Sequence, residues 1–159
     1  MLTETERQNL ISHIETLPER VEAVVKPLSD SQLDRPYKED GWTIRQVVHH
    51  MADSHMSGYV RMKMVATEEL PILKGYDQVA FAELADAARL PLQDSLSILH
   101  GLHSRWATFL RALPENSWSR KGHHTEHGDM TLEELLEDYA KHGDTHLGHI
   151  LSAVMSKPV

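Results

Sequence analysis

Cysteine is absent from this chain of 159 residues. Its absence excludes disulfide bonds, thiolate metal sites and a cysteine nucleophile. Histidine, aspartate and glutamate are therefore the strong ligands that the chain can offer to a transition metal. The chain has 12 histidines, so any spacing pattern among two or three of them must be weighed against chance.

Positive charge and long apolar runs are also scarce. The formal net charge is −8, and no basic stripe is present that would neutralise the phosphates of a nucleic acid, so nucleic-acid binding is disfavoured. No apolar segment has the length of a signal peptide or of a membrane span. The sequence thus predicts a cytoplasmic protein without membrane association.

Apolar residues recur at three- and four-residue steps in four long segments, which predicts four amphipathic helices. The predicted helices span residues 3–25, 43–66, 91–113 and 131–155. Thr43 with Gln46, and Thr131 with Glu134, form capping-box patterns. These two patterns mark the starts of the second and the fourth helix.

The connections between these segments show no strand pattern, no repeat and no low-complexity tract. Residues 71–90 contain Pro71 and Gly75 and predict a long crossover with one short helix, whereas residues 115–129 predict a polar loop. The length suits one domain, residues 1–159. The sequence therefore predicts an all-α fold, a four-helix bundle with a long crossover connection.

The stretch YAKHGDTHLGHI, residues 139–150, places three histidines on the last predicted helix. His142 and His146 are one helical turn apart, so both imidazoles point to one place. The same spacing occurs in zinc metalloproteases, in which a glutamate directly after the first histidine is the general base. Gly143 takes that position here, so the protease interpretation loses its base. The spacing alone fits half of a metal site or a polar helix edge equally well.

A third ligand is sought on the second predicted helix. A rotation of ~100° per residue puts His55 near the centre of its apolar face, His50 at one edge and His49 toward solvent, which makes His49 the weakest candidate. Periodicity does not decide between the other two, because the centre of a packed face is also where a structural histidine is commonest. The off-centre position of His142 and His146 on their own helix favours His50.

The run GWTIRQVVHHMADSHM, followed much later by HGDTHLGHI, is similar to the DinB-like superfamily and most of all to its YfiT-like branch of proposed metal-dependent hydrolases. Members of the family are four-helix bundles that bind a divalent metal through one histidine of the second helix and two of the last. The family motif matches Trp42 and then His50, and the later pair matches His142 and His146. The resemblance therefore implies one zinc or nickel ion per chain, held by these three histidines.

The resemblance also implies an enzyme, although the sequence leaves its catalytic residues unknown. Several superfamily members transfer a low-molecular-weight thiol such as bacillithiol to an electrophile, and this is the first hypothesis. A hydrolase that uses metal-activated water is the second, and a non-enzymatic, metal-stabilised binding protein is the third. The sequence offers no group near His142 that would protonate a hydrolytic leaving group, which favours thiol transfer.

Other residues have weaker assignments. His149 is expected to line the pocket. Asp53 and Asp138 are considered as carboxylate acceptors for the ligand rings, and neither is assigned. Three histidines are expected to lie on a mobile surface loop: His123, His124 and His127. Three others are expected to be structural or exposed residues: His13, His100 and His103.

Two further expectations concern the surface of the protein. YfiT-like relatives commonly pair, and the apolar segment around residues 72–84 looks too short to cover its own surface, so a homodimer is expected. The alternative is that this segment packs over the bundle. YfiT-like relatives are also expected to carry an extra N-terminal segment that this chain, from Met1, does not show.

Overall fold

A computed structural model describes residues 1–155 of the chain. In chain order the elements are α1 (Glu4–Val25), α2 (Asp30–Leu33), α3 (Ile44–Thr67), β1 (Ile72–Leu73), α4 (Gln78–Glu83), α5 (Ala85–Arg89), α6 (Gln93–Arg111), a 3-10 turn (Glu115–Ser117), β2 (Lys121–His124), β3 (Gly128–Thr131) and α7 (Leu132–Met155). Helices α1 and α3 each pack along both α6 and α7. The predicted four-helix bundle is confirmed, with α1 diagonally opposite α3. No helix in the described part of the chain combines the length and apolar character that a membrane span requires.

Both predicted capping boxes are present. The Thr43 hydroxyl accepts from the backbone N–H of Gln46, and the Gln46 side chain accepts from the backbone N–H of Thr43. Thr131 and Glu134 make the same reciprocal pair at the start of α7. Because each box fixes where its helix begins, it also fixes which later residues of α3 and α7 face the interior.

A layer of histidines divides the core into two apolar clusters. On α3 the fully buried His55 lies between Ala52 of one cluster and Met62 of the other. On α6 the fully buried His103 lies between Leu99 and Trp106 in the same way. Buried polar side chains are costly unless they are hydrogen-bonded. The middle of the bundle is therefore the place where its polar contacts matter most.

The structure corrects the prediction that the connections contain no strands. Strand β2 pairs antiparallel with β3 and parallel with β1, which gives a small three-stranded sheet. The hairpin occupies much of residues 115–129, and it turns through Gly128 at a φ of 75°. The strands read IL, KGHH and GDMT, which is too short and too polar to show apolar alternation. The crossover also contains two short helices, α4 and α5, where one was predicted.

Gly58 of α3 packs directly against the ring of Tyr139 on α7. A Cβ atom at Gly58 would overlap the ring of Tyr139. Gly58→Ala is therefore expected to lower the free energy of unfolding by about 1–3 kcal/mol, the usual cost of overpacking. Urea denaturation measures this change.

Gly101 of α6 is the matched control for that substitution. Apart from its chain neighbours and the backbone of its own helix, no described heavy atom lies within 4 Å of a Cβ built there. Gly101→Ala is expected to raise the free energy of unfolding by about 0.5–1 kcal/mol, because glycine is costly inside a helix. Equal effects of the two substitutions would show that the contact with Tyr139 is not what Gly58 provides.

Candidate metal centre

Three histidines meet between α3 and α7. His50 comes from α3, and His142 and His146 come from successive turns of α7; one nitrogen of each lies within 4.8 Å of the others. The Nε2 atoms of His50 and His142 are 3.2 Å apart, and the ring centroids of His142 and His146 are 4.4 Å apart. The structure thus brings together the three residues that the sequence singles out. We call them the three-histidine cluster.

Gly143 has a structural role next to this cluster. It is buried against α1, and a Cβ atom there would lie 2.5 Å from Cδ2 of Leu17. The position that holds the general base in zinc metalloproteases therefore faces the helix interface, where a larger side chain has no room. The protease interpretation is excluded by packing as well as by residue type.

Burial keeps the imidazoles of the cluster neutral. Desolvation lowers the pKa of His50 to about 4. Desolvation, together with repulsion from neighbouring histidines, lowers the pKa of His142 to about 3 and that of His146 to about 2. A metal binds imidazole in its neutral form. All three side chains are therefore in the ligating state at neutral pH.

The donor atoms fit a divalent transition metal. Two imidazole nitrogens on one tetrahedral zinc ion, each at ~2.0–2.1 Å, are about 3.3 Å apart, and the Nε2 atoms of His50 and His142 are 3.2 Å apart. Among the described residues, Nδ1 of His146 is buried with no hydrogen-bond partner. A buried nitrogen is costly in a protein interior unless a hydrogen-bond donor or acceptor or an ion is its partner. An all-imidazole donor set suits zinc or nickel.

A row of buried histidines continues behind the cluster. Nδ1 of His142 lies 3.0 Å from Nε2 of His55, and Nδ1 of His55 lies 2.9 Å from Nε2 of His103. Nδ1 of His103 donates to the backbone carbonyl of Ile14. His55 is thus a hydrogen-bonded histidine at the centre of a packed face, the alternative that periodicity left open. His103 belongs to the structural group in which the sequence placed it, and it is fully buried.

The two carboxylates considered from the sequence do not support the ligand rings. Within residues 1–155, neither Asp53 nor Asp138 is hydrogen-bonded to a histidine of the cluster. The partner of Nδ1 of His142 is the imidazole of His55. Spacing along the chain does not reveal this partner, because His55 reaches His142 only through the packing of α3 against α7.

The expectation that His49 leans toward solvent is wrong. His49 is only 6% exposed. Its Nδ1 lies 2.7 Å from the hydroxyl of Ser95, and its Nε2 lies 3.1 Å from the carbonyl of Leu90. Leu90 at the end of the crossover and Ser95 at the start of α6 therefore cover the face of α3 that carries His49. Helical periodicity describes only the face turned to the bundle, so it misses a second covered face.

Two cavities reach the cluster. The larger, about 630 Å³, is lined by His142 and Ser54, by Tyr76 of the crossover and by His124 and His127 of the hairpin. The crossover and the 115–129 segment therefore form walls beside the site.

The smaller cavity, about 440 Å³, is lined by His142, His146, Trp42 and Tyr37. His149 was expected to line the pocket. It stacks on Tyr37 with ring centroids 4.2 Å apart, and it is not among the residues that line these two cavities. It supports the wall of the smaller cavity from behind.

The hairpin carries a second group of possible ligands, His124, Glu126 and His127. His124 is buried, which corrects its assignment to a surface loop, whereas His127 is exposed. Nδ1 of His124 accepts from the backbone N–H of Glu126 at 3.2 Å. A neutral imidazole with Nδ1 as acceptor carries its proton on Nε2, so His124 has no free lone pair for a metal. The three-histidine cluster is the better metal site.

Comparison with known proteins gives the family. The model of the DinB superfamily matches residues 7–150. A proposed metal-dependent hydrolase of Oceanobacillus iheyensis is 44% identical over 147 residues, which cover 92% of this chain and 85% of that protein. YfiT of Bacillus subtilis, which has the same proposed activity in its name, is 39% identical over 94% of this chain and 84% of its own length.

The comparison with solved structures agrees with this family assignment. The structure of Bacillus subtilis YfiT, described as an unusual four-helix bundle, matches with a TM-score of 0.94 and 38% identity over 96% of this chain and 88% of that one. A mycothiol-dependent maleylpyruvate isomerase matches with a TM-score of 0.72 at 17% identity, over 94% of this chain and 61% of that one, and shares the fold alone. The resemblance seen in the sequence is confirmed: the chain belongs to the DinB superfamily and is a relative of the YfiT-like proteins within it.

Proposed function

We propose that the protein is a divalent-metal-dependent enzyme that transfers a small thiol to an electrophile, with one zinc or nickel ion held by His50, His142 and His146. The observation that carries the proposal is the meeting of two cavities at His142. A reaction between two substrates needs room for both beside the activating centre, and each cavity offers one such space. When bound, the metal supplies a Lewis acid that favours the deprotonated form of a thiol or of water.

The side chains around the cluster are suited to binding and orienting substrates. Trp42 packs on His50 with ring centroids 4.7 Å apart and closes one side of the smaller cavity with an apolar face.

In the larger cavity the Arg61 guanidinium donates to the Tyr139 hydroxyl at 2.9 Å and to the carbonyl of Lys74. Among the described residues Arg61 has no carboxylate within ion-pairing distance. Its charge is therefore available to an anionic group of a substrate.

A hydrolase is the second candidate, and one observation favours it. Asp138, Glu126 and Tyr76 line the larger cavity together with His142, and each carries a group able to protonate a leaving atom. The sequence argument that no such group lies near His142 therefore loses force. The names of the YfiT-like relatives point to hydrolysis as well.

The reaction class is tested by incubating the metal-loaded protein with bacillithiol or glutathione and monochlorobimane. The thiol loses its proton, its sulfur forms a bond to the carbon that carries chlorine, and chloride leaves. Conjugation above the uncatalysed rate, lost in His142→Ala, is the expected result. Parallel assays contain ester and amide substrates. Turnover of these without conjugation would replace thiol transfer by hydrolysis.

The non-enzymatic alternative has its own signature in the same samples. If neither reaction occurs, and chelation lowers only the unfolding temperature, the metal has a structural role. A binding protein of this kind would show the same loss of metal in His142→Ala. Turnover with and without chelator therefore separates it from both enzymes.

We also propose that two chains pair through the crossover. Its large apolar side chains are exposed: Ile72 by 68%, Val79 by 53% and Leu84 by 55%. Several large exposed apolar side chains in one segment are typical of a protein interface. Light scattering is expected to give twice the chain mass of 18.1 kDa, and Ile72→Asp is expected to give the mass of one chain. A single-chain mass for the unsubstituted protein at working concentration would refute the pairing.

A further inference from the structure

The row of histidines behind the cluster, His142, His55 and His103, lies in an environment that apolar packing alone would fill. His55 and His103 are 0% exposed. The ring of Trp106 packs edge-on against both, with centroid distances of 5.8 Å and 5.9 Å. Uncharged imidazoles in such surroundings destabilise the fold unless each polar atom has a partner. Each ring nitrogen of His55 and His103 therefore needs a hydrogen-bond partner.

The row ends at a backbone carbonyl that α1 leaves free. In a regular α-helix the carbonyl of Ile14 accepts from the N–H of the residue four positions later. That residue is Pro18, which lies inside α1 and has no N–H. The carbonyl instead accepts from Nδ1 of His103 at 2.5 Å. Pro18 thus removes the usual helical donor to this carbonyl and leaves it available as an acceptor in the core.

This carbonyl sets the tautomer of every imidazole in the row. A carbonyl can only accept, so Nδ1 of His103 carries a hydrogen and Nε2 of neutral His103 is an acceptor. Nδ1 of His55 donates to that acceptor, which makes Nε2 of His55 an acceptor in turn. Nδ1 of His142 donates to Nε2 of His55. Nε2 of His142 is then left with its lone pair, and this atom faces His50 in the cluster.

We propose that His55 and His103 are positioning residues for the metal site: together with the Ile14 carbonyl, they hold His142 as the tautomer whose Nε2 lone pair points to the metal. The inference rests on the proposed metal site. Ligand histidines usually donate their other ring N–H to a carboxylate, a carbonyl or water, which fixes ring orientation and tautomer. Here a carbonyl has this role through two intervening imidazoles. In the opposite tautomer the N–H of His142 would point into the cluster and block binding.

His103 allows the row to be interrupted without altering any ligand. His103→Leu removes both the donor to Ile14 and the acceptor for His55, whereas His103→Gln keeps one donor and one acceptor on its amide. Zinc affinity is measured by competition with a chromophoric chelator. His103→Leu is expected to weaken binding by about 10–100-fold, the typical cost of losing a partner of a ligand histidine. His103→Gln is expected to retain most of the affinity.

A readout independent of the metal is the tautomer of His142 in the metal-free protein. Long-range ¹H–¹⁵N NMR of histidine-labelled protein, with the His142 signals identified by their loss in His142→Gln, reports which ring nitrogen carries the hydrogen. The expected result is hydrogen on Nδ1 in the unsubstituted protein and in His103→Gln, and a mixture in His103→Leu. Leu99→Ala, a cavity substitution on the same helix, is the control for destabilisation, because Leu99 is buried and its side chain makes no hydrogen bond.

Three outcomes would overturn the proposal. The first is wild-type zinc affinity in His103→Leu, the second is an unchanged His142 tautomer in that variant, and the third is an equal loss of affinity in Leu99→Ala. Failure of the metal site itself looks different. In that case His142→Ala would bind zinc as well as the unsubstituted protein, while the metal-free NMR measurement would still test the row.

Discussion

Replacing His50, His142 or His146 by alanine is expected to strip the metal from the purified protein. Each substitution leaves two imidazoles, and the loss of a ligand costs more than the ~10–100-fold in affinity that loss of a ligand's hydrogen-bond partner costs. Elemental analysis after gel filtration is expected to give close to one transition-metal ion per unsubstituted chain. The three variants are expected to retain a small fraction of that content.

His49 is the matched control, because it is next to His50 on α3 and equally enclosed. Its ring nitrogens lie against Ser95 and the Leu90 carbonyl, away from the cluster. His49→Ala is therefore expected to keep its metal, although it loses stability. Full metal content in His50→Ala would contradict the ligand assignment and would return His55 as the candidate third ligand.

Mild acid is expected to destabilise the metal-free protein while most carboxylates are still ionised. Burial lowers the pKa of His103 to about 4, against an ordinary value of 6.5. Between these values the unfolded chain binds a proton that the folded chain does not. The free energy of unfolding therefore has its full value above pH ~6.5 and decreases as the pH falls toward 4. At ~1.4 kcal/mol per pKa unit, one such histidine contributes on the order of 3 kcal/mol to this decrease in the free energy of unfolding.

The other buried histidines also make the metal-free protein less stable as the pH falls. Burial lowers the pKa of His50 to about 4 and that of His142 to about 3. Carboxylates with a lowered pKa, such as Glu15 beside Arg111, become protonated only below the ordinary value of 4.5, so the interval from pH 7.5 to pH 5 isolates the histidines. Urea denaturation with a chelator present is expected to show a loss of several kcal/mol over this interval.

His103→Gln is the control for this pH dependence. It removes one titrating imidazole while it keeps a donor and an acceptor, so its unfolding free energy is expected to change less steeply with pH. A flat profile for the unsubstituted protein between pH 7.5 and pH 5 would show that these histidines are not held neutral by burial.

Much of the bundle follows from local rules. The apolar stripes and two capping boxes predict the four long helices, because a helix that packs on one side repeats its apolar residues every three or four positions. His142 and His146 follow from helical spacing in the same way. Helix geometry favours His50 over His55 because His50 lies at the edge of its face, and the family motif decides between them.

The unpredicted features depend on contacts between distant segments. The burial of His49 results from the end of the crossover and the start of α6, which cover its side of α3. Strand β2 pairs with the two residues of β1 far away in the chain, which no local pattern shows. Pro18 is a visible signal that the Ile14 carbonyl lacks a helical donor. That His103 supplies the donor is a consequence of how α6 packs against α1.

The most direct test of the metal site is anomalous diffraction at the zinc edge from crystals of the zinc-loaded protein. The expected result is one strong anomalous peak between α3 and α7, with a nitrogen of His50, of His142 and of His146 each at ~2.0–2.1 Å from it. A peak at the hairpin group of His124, Glu126 and His127, with none at the three-histidine cluster, would contradict the account.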